Sequence, residues 1–263
     1  MLSASAVKRR LHDVDTIYCY DGTFAGFLCC VFEAFERREQ PAAIWPPALE
    51  QPTMFPIRGI ETDKARAERV FAGMRRKTGN ETRDFVVRAF LSGQEDKEWQ
   101  LLRFLDLAFA AGPYAIEWYG HPFVAPIYEM QHNLSWEVDK FQGFVRFVDY
   151  NRMLVAVIHP KNYILPLLRG HFCARFPGED FLIYDASHGM VLLHKKGRAE
   201  ILTLAAPLEL PPPDAKEQEF QELWKQFYDT LAIDARRNER CRMTHCPKRF
   251  WQDMTELNGQ KYG

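Results

Sequence analysis

A chain of 263 residues with 47% apolar side chains and a formal charge of −1 can bury one large core or two of ordinary size, and it lacks the net positive field that would draw in a polyanion from a distance. Its six cysteines are scattered, unlike the dense disulfide framework of a small secreted domain, so reduced thiols are expected. Lys8-Arg9-Arg10 leads into His12, Asp13 and Asp15 rather than an apolar signal core, and no run approaches about 18 apolar residues; a cytoplasmic, unanchored protein is the expectation.

In chain order, Thr16 to Tyr20 predicts a strand, and Asp21-Gly22-Thr23 a turn that doubles as a helix N-cap. The helix that follows, from Phe24 to about Arg38, is apolar almost all round and should be buried. Residues 41–59 hold five prolines without a helical period and read as an irregular crossing segment. Three helices are expected next: one opening at Thr62-Asp63, one over about Glu81 to Leu91, and one carrying Leu101, Leu105 and Phe109 up to Gly112. Another should run from about Pro122 to Lys140.

The pattern then changes from helical to alternating. Gly143 to Asp149 predicts a strand, Asn151-Arg152 a hairpin turn, and Met153 to Ile158 a second strand ended by His159-Pro160. Lys161 to Phe176 reads as a helix. Asp180 to Asp185 and Met190 to His194 read as strands joined at Ala186 to Gly189, with Ala199 to Leu204 as a third. Ala215 to Leu231 predicts a helix with Phe220, Leu223, Trp224, Phe227 and Leu231 on one face, before a basic tail. The fold class expected is α+β: a mainly helical N-terminal half, 1–140, packed on a mixed C-terminal half, 141–263, with a four- or five-stranded sheet.

The run Tyr20-Asp21-Gly22-Thr23-Phe24-x-Gly26-Phe27-Leu28 resembles the opening of the bacterial "probable DNA metabolism protein" family. Phe141-x-Gly143-Phe144-x-Arg146-Phe147, then His171-Phe172 with Arg175-Phe176, and Ile183-Tyr184-Asp185 resemble its later segments in the same order. The resemblance implies a role in DNA metabolism beside a radical S-adenosylmethionine (radical SAM) protein of DNA modification or repair. The C-terminal part also resembles a domain of unknown function found fused to uracil-DNA glycosylase-like enzymes. The run Cys241 to Trp251 departs from the family pattern.

Several chemistries lack their motifs. No Cys-x3-Cys-x2-Cys run exists to hold a radical-enzyme cluster, and phosphate-loop, dinucleotide-turn, zinc-helix and nucleophile-elbow signatures are missing. Cys241, His245 and Cys246 offer soft ligands but no fourth partner at finger-like spacing, so no metal and no cofactor is expected. Two stretches concentrate cations: Lys64 to Arg88 carries eight Lys or Arg, and Arg236 to Arg249 carries six against Glu239 alone. Either is a solvated helix face or a local polyanion surface.

His171 and Arg175 share a helix face, where they either hold an anion or form a structural contact. Asp185, near His188, either orients an imidazole or starts a turn. Arg146 lies between Phe144 and Phe147, and Lys248 and Arg249 precede Phe250 and Trp251, mixtures of charge and rings that suit a strand with unstacked bases, although the first is also the alternation of a half-buried sheet strand and the second equally a docking peptide for a protein partner. The nucleic-acid-binding candidates are therefore Arg146, His171, Arg175, Lys248, Arg249 and Trp251. The leading expectation is an accessory that positions single-stranded or damaged DNA for a radical SAM partner. The alternatives are a hydrolytic or glycosylase-like enzyme centred on His171, Arg175 and Asp185, and an adaptor that binds only the partner protein.

Overall fold

The computed structural model describes residues 10–49, 51–231, 233 and 238–258. The chain forms two compact units, Met1–Leu134 and Ser135–Gly263, and its class is α+β.

The N-terminal unit is organised by β1, His12–Cys19, the centre of a three-stranded parallel sheet ordered β2-β1-β3, with β2 at Glu39–Trp45 and β3 at Ile57–Gly59. Of the crossing segment expected over 41–59, residues 41–45 and 57–59 are strand, and the described residues between them belong to no strand. Pro41 is tolerated because β2 lies at the sheet edge, where a missing N–H leaves no inner ladder bond unmade. Tyr18 ties the sheet together: its hydroxyl donates to Glu39 at 3.1 Å, and Arg58 donates to both the hydroxyl, at 3.2 Å, and Glu39, at 2.6 Å.

The turn after β1 launches α1, Phe24–Arg37, where the Thr23 hydroxyl accepts from Gly26 N–H at 3.0 Å while both Thr23 donors reach Asp21. Position 26 must be glycine, since a Cβ there would lie 2.2 Å from the Asp21 carboxylate. Phe27, Leu28, Cys29, Cys30 and Val31 are buried, as the all-round apolar pattern requires. Two of the three expected helices join as α2, Lys64–Phe90, interrupted at Gly79 (φ 85°, ψ 171°); the third is α3, Lys97–Ala111, stopped at Gly112. Leu101, Leu105, Phe104 and Phe85 from these helices fill a core with Phe27.

Helix α4, Ala125–Phe144, carries the division between the units. It runs past the expected end at Lys140, and the strand expected over 143–149 shrinks to β4, Val148–Tyr150. The cause is Phe141 and Phe144: one turn apart, both pack their rings on Phe250, at 5.1 and 5.4 Å, which rewards a helical spacing rather than an alternating one.

The C-terminal unit holds a five-stranded mixed sheet ordered β4-β5-β6-β7-β8, with β5 at Met153–Ile158, β6 at Asp180–Asp185, β7 at Met190–Lys195 and β8 at Arg198–Thr203. The β4–β5 hairpin turns at Asn151 and Arg152, both with positive φ, 53° and 71°, the requirement of a type I′ turn. Only β5 and β6 are parallel; α5, Leu165–Arg175, connects them. This helix begins later than Lys161, where the Lys161 and Asn162 N–H groups and the Asn162 side chain are held by Glu137 in a loop. Helix α6, Ala215–Leu231, a short α7, Glu239–His245, and a 3-10 turn, Lys248–Asp253, complete the unit.

Candidate functional site

In a parallel pair the C-terminal strand ends face the same way, and the loops leaving them converge, which is where open sheets place ligand sites. Here Ile158 of β5 lies beside Asp185 of β6, and Ala186 N–H donates to the Ile158 carbonyl at 2.9 Å. Each loop leaving this edge delivers a histidine anchored on a buried aspartate.

His159 follows β5 directly. Its backbone N–H and ring Nδ1 bind the two oxygens of Asp253, at 3.0 and 2.6 Å; the Asp253 side chain is 3% exposed and that of His159 41%. Burial pushes the Asp253 carboxyl above its ordinary range, opposed by the His159 hydrogen bonds and charge. Because the carboxylate accepts at Nδ1, Nε2 is the ring nitrogen left to act outward. On the next loop Asp185, fully buried, accepts the N–H groups of Ser187 and His188 through Oδ1 and His188 Nδ1 through Oδ2 at 2.7 Å. Tyr163 covers the His188 ring, with centroids 4.0 Å apart.

Between them, Glu137 of α4 pins the loop. Its buried carboxylate accepts from Lys161 N–H, Asn162 N–H, Asn162 Nδ2 and Arg249 Nη1, at 3.0, 2.8, 2.7 and 2.6 Å. Four donors satisfy a charge that would otherwise be costly to bury.

A groove of about 350 Å³ opens beside His159, over Val155 and Val157 of β5, with Tyr150, Lys225, Gln221 and Asn258 on its walls. Arg146 also lines it, but its guanidinium is engaged: Nη2 and Nε reach Glu256 at 2.7 and 3.2 Å, and Nη1 donates to the Gly143 carbonyl at 2.9 Å. Burial would raise the Glu256 carboxyl, yet the hydrogen bonds from Arg146 and Trp224 hold it below the ordinary carboxylate range. Lys225 is exposed and has no carboxylate partner among the described residues.

The residues singled out by sequence do not form one cluster. Arg249 joins the strand-end network through Glu137, and Arg146 lines the groove while paired to Glu256. Trp251 is 7% exposed, its indole donating to the Cys246 carbonyl at 2.9 Å, so its ring belongs to a small core with Met254 and Leu257. Lys248 is exposed, 5.8 Å from that ring. His171 and Arg175 lie on α5 without a bond between them among the described residues; His171 Nε2 is buried and unpartnered, while Arg175 is exposed above Phe176. Asp185 meets His188 rather than His171. Arg236 and Arg237 lie outside the described residues.

Cys246 turns its sulfur to Met254 at 3.6 Å, away from the Cys241 and His245 contact. No group of three metal-ligating side chains occurs among the described residues, and no helix there is long and apolar enough to cross a membrane.

Residues 95–256 match the model of a domain of unknown function, DUF4130. The chain belongs to this family. No curated protein matches it. The DUF4130 segment contains the whole strand-end site, from Glu137 to Asp253, whereas the parallel sheet, α1 and α2 precede it. The arrangement offers one half-exposed imidazole, that of His159, whose Nε2 is free to meet an anion, and a second, that of His188, held on buried Asp185 beneath Tyr163. Sequence reading missed Glu137, His159, Tyr163 and Asp253 as site members. The available signal was a histidine directly after a strand and before a proline, a position that places a side chain at a sheet edge.

Proposed function

We propose that this protein is a DNA-metabolism accessory that holds a nucleic-acid strand at the strand-end groove of its C-terminal unit for a partner that performs the chemistry. The observation that carries the reading is the groove itself: Lys225 and the outward nitrogen of His159 supply cationic or hydrogen-bonding contacts to phosphate, and the amides of Gln221, Gln252 and Asn258 can meet base edges. Single-stranded or damaged DNA is the favoured ligand, because its bases are already out of the stack. The resemblance to the DNA-metabolism family points the same way and names a radical SAM protein as partner. The apolar face of α6 supports a protein contact, since Phe220, Leu223, Phe227 and Leu231 are all more than half exposed.

Titration of the full chain with single-stranded, duplex and abasic-site DNA tests this. His159→Ala and Lys225→Ala should each weaken single-strand binding by about tenfold, the loss of one charge-assisted contact; melting temperature should change little in Lys225→Ala, whereas His159→Ala also strands the buried Asp253 carboxylate and is read as binding per folded molecule. Undiminished binding by both folded variants would overturn it.

A hydrolytic activity is the second reading, favoured by the buried Asp185 behind His188. It requires product release from a lesion-bearing oligonucleotide by the protein alone, abolished in His188→Ala while binding persists.

A further inference from the structure

In the N-terminal unit a second cavity, of about 360 Å³, is bounded by Phe32 and Phe35 of α1, Val70 of α2 and Phe109 of α3, and rimmed by Arg10, Arg69, Arg76 and Lys77. Glu36 is its single carboxylate lining group. Positions 69, 73, 76 and 77 recur at helical spacing, so α2 presents its cations and Gly73 along one face. None of the four rim side chains forms an ion pair with a carboxylate among the described residues, although the Arg10 backbone N–H donates to Asp106 at 3.3 Å and neighbours on the same helices are paired: Arg66 and Arg37 both reach Glu33. Their placement over rings is direct, with Arg69 5.6 Å from the centre of Phe32 and Lys77 5.5 Å from that of Phe109.

Like charges gathered around an apolar floor repel one another, and a ligand that brings both an anion and a planar apolar body relieves that repulsion while covering the rings. The volume falls in the range of small-molecule sites, about 300–1,000 Å³. A heterocycle both buries its area on this floor and stacks on its phenyl rings, whereas an aliphatic chain gains the burial alone. We propose that this cavity binds a nucleotide, its phosphate held by Arg69, Arg76, Lys77 and Arg10 and its base against Phe32, Phe35 and Phe109. The source is either a free mononucleotide or the 5′-phosphorylated end of a single strand. The site lies in the other unit from the strand-end groove and does not depend on it.

Gly73 makes the test clean. It lines the cavity at ordinary helical φ, and a Cβ there would meet no atom within 4 Å. A larger side chain therefore grows into the empty volume without straining the backbone, and helix propensity favours the change.

The experiment is calorimetric titration of the full chain with the four deoxynucleoside 5′-monophosphates, thymidine, inorganic phosphate, and a thymidine pentanucleotide with and without a 5′-phosphate. At least one monophosphate should bind, and thymidine and phosphate alone should bind about tenfold more weakly or worse, each lacking one half of the contact. Arg76→Ala and Lys77→Ala should each cost about tenfold. Gly73→Leu should abolish binding while keeping a cooperative melt, and Gly73→Ala should preserve both. Tight binding of the phosphorylated pentanucleotide alone among the oligonucleotides assigns the strand end; binding of monophosphates only assigns the free nucleotide. Failure of every monophosphate to bind the wild-type chain, or full binding by folded Gly73→Leu, overturns the proposal.

Discussion

Two buried carboxylates line up behind the groove, and they answer acid in opposite directions. Glu256, held below its ordinary range mainly against the pull of burial by Arg146 and Trp224, contributes stability that is present above the unfolded carboxylate value and is lost as pH falls through the depressed one. Asp253, raised by burial, contributes stability that is full below the unfolded value and is lost as pH rises through the raised one. Arg146→Ala should therefore destabilise by about 3 kcal/mol at neutral pH, because it strands a carboxylate that is 2% exposed, and acidification should restore part of the loss; urea unfolding at several pH values reads both effects. His159→Gln should lift the Asp253 carboxyl further, since the hydrogen bonds and charge opposing desolvation come from His159; carbon-detected titration of Asp253 shows it, and a downward shift would refute the assignment. Neither pair was legible in the sequence. Arg146 drew attention through its neighbours Phe144 and Phe147, but its partner lies 110 residues away and that of His159 94 residues away, distances at which local spacing carries no information.

At the scale of elements, local chemistry predicts well where the backbone itself is constrained. Asn151-Arg152 reads as a hairpin turn because two residues between alternating runs leave no other option, and both adopt positive φ. Arg152 bears the strain of that geometry while its N–H is tied to Asp149 at 2.7 Å, so Arg152→Gly should keep the bond, relieve the left-handed conformation and raise stability by about 0.5–1 kcal/mol. Helix α2 provides a paired test of the same physics with opposite signs. Gly79 sits at φ 85° and ψ 171°, a region essentially closed to other residues, so Gly79→Ala should cost about 1–3 kcal/mol. Gly73, six residues earlier with open space at its Cβ, should give about 0.5–1 kcal/mol of stabilisation on Gly73→Ala. Thermal melts of the two variants should shift in opposite directions. Sequence reading failed where tertiary packing outweighed local signals: the prolines around Pro41 hid an edge strand whose role depends on its place beside β1, and the Phe144 to Phe147 alternation hid a helix end held by Phe250.

For the whole molecule the controlling fact is a net charge of −1, which means that any hold on a polyanion is local and its salt dependence shallow. Each phosphate engaged on a single strand contributes about 0.7 to the slope of log affinity against log salt, so a site relying on a few side chains should show a slope of about −2. Lys225→Ala should flatten it by about 0.7 if the groove holds the strand. The tail needs more selective probes than its composition suggests. Arg242 is tied to Glu239 at 2.8 Å and Arg249 to the buried Glu137 at 2.6 Å, so neutralising either also releases a carboxylate and confounds the reading. Arg240 and Lys248 are exposed and carry no such partner among the described residues. The double variant Arg240→Ala, Lys248→Ala should lower affinity and flatten the slope further if the tail lies along the same strand, with the fold intact by melting. A slope unchanged from wild type, in a protein that still binds, would confine the phosphate contacts to the groove and leave the tail to contact the protein partner.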